Sequence, residues 1–245
     1  MPKPRVNFPQ ADFRPASGPL QRFGRYTAMW NFKKAGCICC ALSIGDKIAP
    51  VKRRSYTEIA DDLLTLKRIL EQQKHPLFTQ LTSLWLDVRK LPDAWTFPAE
   101  ENGVSGFAGL GPIFVIAEQP STSEWPPEDK GRRLLYDALR ACDAEQVHLT
   151  DIVKTRGKGH EWRQWPAERL RRHIDLLRQE LNELKPQKLV LLGTDARRLF
   201  STHFPKEAAS AKMIPHFGYL RRVPLEDQDR WREFFCKELL SALNS

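Results

Sequence analysis

The sequence predicts an α/β protein: a three-layer α/β/α sandwich around a central four-stranded parallel sheet, preceded by an N-terminal helical extension. Three observations carry this. Four short strand-like runs, at residues 113–116, 146–153, 188–193 and 211–214, alternate with stretches of helical periodicity. Such alternation builds a parallel sheet covered on both faces. Each run ends at small or polar residues, which is how strands of open parallel sheets present ligand-binding groups at their carboxyl ends. A chain of 245 residues is also long enough to bury a sizeable core without staples.

The elements follow in order. Residues 1–54 read as a basic, aromatic arm. Within residues 1–34, seven Lys and Arg oppose only Asp12, and Phe8, Phe13, Phe23, Tyr26, Trp30 and Phe32 are interleaved. Five prolines there oppose regular structure. The arm either tracks phosphates and stacks on bases or wraps the domain with its aromatics as anchors. Cys37 and Cys40 form a C-x-x-C pair around Cys39. No second close pair supplies the roughly four ligands of a structural metal site, so a buried thiol cluster is expected.

Residues 55–111 read as a helical extension packed on the core. Ser55 and Glu58 fit a capping box. Ile59, Leu63, Leu66, Ile69 and Leu70 follow at helical spacing. A second helix is expected from residue 76 to about 90, then a Pro- and Gly-rich loop over residues 92–111.

Residues 112–245 form the predicted core. The first strand delivers Glu118, Gln119, Pro120 and Ser121, and a loop with Trp125, Pro126 and Pro127 leads to a helix over residues 130–142. The second strand contains Asp151 and opens into a polar loop, residues 154–165. Pro166 suits the first turn of a long helix ending near Leu184. The third strand ends at Gly193 before a helix over residues 195–204. The fourth delivers residues 215–222, and a terminal helix starts near Asp227 or Asp229.

Lys and Arg number 39 against 30 Asp and Glu, a formal charge of +9. That excess points to an acidic partner, most commonly nucleic acid, or to a basic but otherwise ordinary enzyme. Five unevenly spaced cysteines do not make a disulfide framework, so a reducing cytoplasm is expected. No segment approaches the roughly 18 apolar residues of a membrane helix, and the start lacks the apolar stretch of a signal peptide. No nucleophile elbow or phosphate-binding glycine loop is present.

The strand ends spell an ordered set: Ala117-Glu-Gln-Pro-Ser121, Thr150-Asp-Ile-Val-Lys154, Leu192-Gly-Thr-Asp-Ala196 and His216-Phe-Gly-Tyr-Leu-Arg221. Over residues 112–222 this resembles the uracil-DNA glycosylase superfamily, and most of all its iron–sulfur-type members. Their motifs read Gly-Glu-Ala-Pro-Gly or Gly-Glu-Gln-Pro-Gly, Thr-Asn-Val-Val-Lys, Leu-Gly before a small residue, and His-Pro-x-x-Leu-Arg. Where those members carry two cluster cysteines, this chain has Thr155 and a position near His173. The resemblance therefore implies no iron–sulfur cluster and no other cofactor.

What the resemblance implies is cleavage of the N-glycosidic bond of a flipped nucleotide. Glu118 would stabilise the sugar cation or orient water, and His216 would hydrogen-bond the departing base. Gln119, Ser121, Trp125 and Asp151 would hold the base, with Trp125 as a stacking platform. Tyr219 and Leu220 would wedge into the vacated stack. Lys154, Arg156, Lys158, Arg221 and Arg222 would grip phosphates, and His160 would face the DNA. The usual Asn stands here as Asp151. An ionised Asp only accepts hydrogen bonds and suits a cytosine amine, as in modified cytosines of phage DNA. A protonated Asp151, or one turned away, leaves uracil as the substrate. Ala117 and Ser121, in place of glycines, instead favour a catalytically weak DNA-binding or damage-recognition module. The expected partner is single- or double-stranded DNA, engaged by a monomer.

Overall fold

Strands β1 (Ile113–Ala117), β2 (His148–Asp151), β3 (Lys188–Leu192) and β4 (Lys212–Ile214) form one parallel sheet in the order β2-β1-β3-β4. The computed structural model describes residues 54–244. The basic arm up to residue 53, with the expected thiol cluster of Cys37, Cys39 and Cys40, lies outside the described residues. The helices are α1 (Tyr56–Glu71), α2 (Phe78–Arg89), α3 (Lys130–Ala141), α4 (Ala167–Leu184), α5 (Thr194–His203), α6 (Pro205–Ala208) and α7 (Gln228–Asn244). The chain leaves β1 for one neighbour and then crosses to the other, so the strand order switches between β1 and β3. Crevices outside the carboxyl ends at such a point are the ligand-binding places of these sheets.

Side chains alternate across each strand, and the sheet divides the core accordingly. Val115, Ala117, Leu149, Val190, Leu192 and Ile214 face α3 and α7. Phe114, Ile116, Leu189 and Leu191 face the layer that includes α2, α4 and α5. Ile69 of α1 and Leu81, Leu84 and Val88 of α2 belong to this second cluster, while Phe97 and Val104 belong to the first. The segment before residue 112 thus contributes to both cores.

Two elements differ from their sequence reading. The capping box of α1 forms as expected, with the Glu58 N–H donating to Ser55 Oγ at 3.2 Å and the Ser55 N–H to the Glu58 carboxylate at 3.1 Å. Its apolar stripe is inward only in part: Ile69 is buried beside Thr65 and Leu66 is half-buried, while Ile59, Leu63 and Leu70 are exposed. Ion pairs from Asp61 to Arg132 and from Asp62 to Arg89 also hold the inner side. Strand β2 is four residues long, shorter than the run 146–153; Gln146 before it lies in a turn, its carbonyl accepting from the Gly111 N–H. No helix among the described residues is long and apolar enough to cross a membrane.

Candidate active site

The strand ends are held in one plane. Ala117 pairs with Asp151 across β1 and β2, and the Ile152 and Val153 N–H groups continue the ladder to the carbonyls of Ala117 and Glu118, both at 2.9 Å. On the other side, Leu192 pairs with Ile214 and the Gly193 N–H donates to the Ile214 carbonyl at 2.8 Å. Above these ends lies a cavity of about 110 Å³. That is well below the roughly 300–1,000 Å³ of a site for a drug-sized ligand, and suits a single small heterocycle. Ala117, Gln119, Pro120, Ser121, Trp125, Asp151 and His216 line it, as does Arg221 at its edge.

Asp151 is a polar group on the cavity wall with an unpartnered oxygen. It is buried, and its Oδ2 makes no hydrogen bond. Burial pushes its carboxyl up to about 8; Lys154 opposes the rise, and Glu180 and Glu118 add to it. At neutral pH the group is therefore a carboxylic acid, with one donor and one acceptor. Of the two states open from sequence, the protonated one is the state this environment holds.

Behind Asp151 lies a closed polar network. The Lys154 ammonium, 1% exposed, meets the Glu180 carboxylate of α4 at 2.7 Å. Thr150 Oγ1 donates to Glu180 at 2.8 Å, and the Lys154 N–H donates to His173 Nδ1 at 3.1 Å. Burial works to raise Glu180, but Lys154 and His148 outweigh it and the net direction is down. Lys154 is thus half of a buried ion pair and no phosphate ligand, which corrects its assignment. The two positions that the resemblance compares with cluster cysteines, Thr155 and His173, are both buried. Burial, with Lys154 and Arg169, holds His173 neutral, its pKa lowered to about 4.

His216 starts a 3-10 turn over Phe217–Arg222. Its Nδ1 accepts the Gly218 N–H at 3.0 Å, which leaves the proton of a neutral ring on Nε2. Burial, then Arg221 and Arg222, lower its pKa to about 4, so the ring is neutral near pH 7. Phe217 stacks on it at 4.2 Å between centroids. Gly193 has φ +89, and a Cβ there would sit 3.1 Å from that of His216. The glycine ending β3 is therefore what lets His216 approach.

Glu118 is not among the cavity-lining residues. Ala117 and Gln119 line the cavity, and by strand alternation Glu118 turns to the opposite face. There its Oε1 accepts the Trp162 Nε1–H at 2.7 Å and lies 2.9 Å from His160 Nδ1. His160 Nε2 is 3.8 Å from Asp195, which also accepts from Arg163 at 3.0 Å. Glu118, His160 and Asp195 are close enough for their ligand atoms to share a cation. The Arg163 guanidinium and the Trp162 N–H already serve these two carboxylates. His160, assigned from sequence as a DNA-facing loop residue, is half-exposed and engages Glu118 directly.

The remaining assignments divide. Gln119 lines the cavity, its Nε2 donating to the Thr155 carbonyl at 3.3 Å and its Oε1 lacking a partner. Ser121 is an exposed rim residue. Trp125 is 8% exposed, wedged between Trp95, Phe97, Tyr136 and Phe217 at 5.5–5.6 Å, and is a wall of the cavity rather than a free platform. Arg156 pairs with Glu58 at 3.2 Å and donates to the carbonyls of Ser121 and Ser123, so it clasps the loop after β1 instead of reaching for phosphates. Leu220 is 0% exposed and belongs to the core, which removes it as a wedge. Tyr219 is 54% exposed. Arg221 pairs with Asp129, while Lys158 and Arg222 are exposed and without an ion pair among the described residues.

Sequence reasoning missed several participants. Trp95 and Phe97 line the cavity from what read as a loop; their one-apart spacing, with Thr96 between, was the signal. Trp162 and Asp195 gather at Glu118, and Glu180 neutralises Lys154, with no local pattern to mark them. Residues 111–240 match the family model described as the uracil DNA glycosylase superfamily. No curated protein matches the chain.

Proposed function

The chain belongs to the uracil DNA glycosylase superfamily, whose members are typically DNA glycosylases, and from that premise we propose that it removes uracil, or a pyrimidine of similar size, from DNA and leaves an abasic site. The observation that carries this is the small cavity with a neutral His216 and a protonated Asp151 on its wall. A base enters it by flipping out of its strand, at a cost of a few kcal/mol.

Once the base is seated, Asp151 donates to the O4 of uracil and accepts from N3–H, the pairing an amide makes at this position. The His216 Nε2–H donates to the base oxygen that gains charge as the bond to the sugar breaks, with no proton needing to leave the ring. Glu118 faces the sugar cation from beyond the cavity. Trp162 and His160 keep its carboxylate in place. A glucosylated cytosine would need room that about 110 Å³ does not supply.

A second reading, a weakly active damage-recognition module, draws on one observation. Glu118 is held by Trp162 and His160 outside the cavity. Abasic-site formation on oligonucleotides carrying uracil, cytosine or 5-hydroxymethylcytosine separates the readings. Excision of uracil by the wild type, lost in Glu118→Ala and His216→Ala, supports the glycosylase. Absence of excision on every base, with DNA binding retained, leaves the recognition module.

A further inference from the structure

Beside the base cavity, on the outer side of the turn that carries His216, lies a second concavity of about 400 Å³ lined by Pro215, Tyr219, Trp231 and Phe234. Trp231 forms its floor, 5.8 Å from both Tyr219 and Phe234 between centroids. Tyr219 and Phe234 stand 54% and 49% exposed. Trp231 is 8% exposed, and its Nε1–H finds no acceptor. Trp231 joins Phe235 and Leu239 of the same helix in the core, while Tyr219 and Phe234 are exposed and stand outside it.

We infer that this recess holds an unpaired nucleobase of single-stranded DNA, the neighbour of the nucleotide whose base occupies the cavity; the inference rests on the glycosylase reading above. Two facts select this occupant. Pro215 and Tyr219 bracket His216, Phe217 and Gly218, which line the cavity, so a strand leaving one concavity runs directly over the other. Arg222, in the same turn, is exposed and carries no ion pair among the described residues, which leaves a cation for the phosphate between the two bases. Bases stack on aromatic side chains irrespective of their identity. In a duplex the neighbouring base is stacked and paired, and reaching the recess would break both interactions. The surface therefore favours single-stranded or melted substrate.

The test uses the full chain and a single-stranded oligothymidylate. The oligonucleotide carries a tetrahydrofuran abasic analogue, which cannot be cleaved, with 2-aminopurine beside it. Binding should quench the 2-aminopurine. Phe234→Ala and Tyr219→Ala should weaken affinity roughly 5- to 150-fold, the range of base–aromatic stacking, and Phe234→Trp should retain it. The corresponding duplex should bind less tightly. Unchanged affinity in both alanine variants, a probe that stays bright, or a stronger duplex complex overturns the inference. So does self-association of the wild type that Phe234→Ala abolishes, since the occupant is then a second copy. Uracil excision measured in parallel keeps the two readings apart. Excision with recess-independent binding defeats only the recess, and recess-dependent binding without excision defeats only the glycosylase.

Discussion

Replacing Asp151 by Asn should stabilise the protein at neutral pH and remove the alkaline limit of its activity. The carboxyl titrates at about 8 in the fold against 3.8 unperturbed, with burial as the main cause. A carboxyl raised in this way withholds nothing below about 3.8, and stability is lost as pH climbs from there toward about 8. Each unit corresponds to about 1.36 kcal/mol. At pH 7 the gap of 7 − 3.8, about 3 units, corresponds to about 4 kcal/mol; at pH 5 it is about 1 unit and about 2 kcal/mol. Asn has the same shape, does not titrate, and keeps one donating and one accepting edge. Urea unfolding of both proteins at pH 5 and pH 7 reads the difference directly. The advantage of Asp151→Asn should grow by about 3 kcal/mol between the two pH values, two units at about 1.36 kcal/mol each. An advantage that stays constant, or an Asn variant no more stable than wild type at pH 7, refutes the argument that burial keeps Asp151 protonated.

Other consequences concern different parts of the site. Lys154→Ala strands the buried Glu180 carboxylate and should cost about 3–5 kcal/mol in urea unfolding, while leaving the salt dependence of DNA binding unchanged. Arg222→Ala should do the reverse, lowering the slope of log affinity against log salt by about 0.7–0.9 with stability intact. Gly193→Ala forces a side chain into positive φ against His216, and should lower excision roughly 10- to 100-fold through displacement of that ring at a stability cost of about 1–3 kcal/mol. Wild-type excision should fall above about pH 8 as Asp151 ionises, and below about pH 4 as His216 takes a proton on the nitrogen that accepts from Gly218.

The sheet and the strand-end residues were legible because local pattern determines both. Apolar runs that stop at polar residues are strands with their carboxyl ends marked, and parallel pairing brings those ends together. Burial beyond those ends was not legible. Lys154 looks like a rim cation until Glu180, 26 positions later, is seen to neutralise it. Leu220 looks like a wedge until the 3-10 turn forms. At about three residues per turn, Phe217 and Leu220 share the inner side and Tyr219 faces out. The exposed part of the α1 stripe, Ile59, Leu63 and Leu70, misleads for a related reason. Helical spacing identifies an apolar face, but Asp61 and Asp62 turn the other face inward by pairing with Arg132 and Arg89.

Under the proposed function, the alternation of β1 would let one strand end serve two chemistries. Ala117 and Gln119 point to the face of α3 and α7, where Trp125 and Asp151 complete a closed wall. Glu118, one residue between them, must point to the other face, where Trp162 and His160 meet it. A base seated among the first group and a sugar presented to the second would straddle the strand end, with the N-glycosidic bond between them. A Glu inside the cavity could not serve in this way. Its carboxylate would share the desolvation that raises Asp151, and two carboxyl groups in one small cavity raise each other further. On the proposed glycosylase reading, placing the charge across the strand would separate a protonated reader of the base from a carboxylate facing developing positive charge.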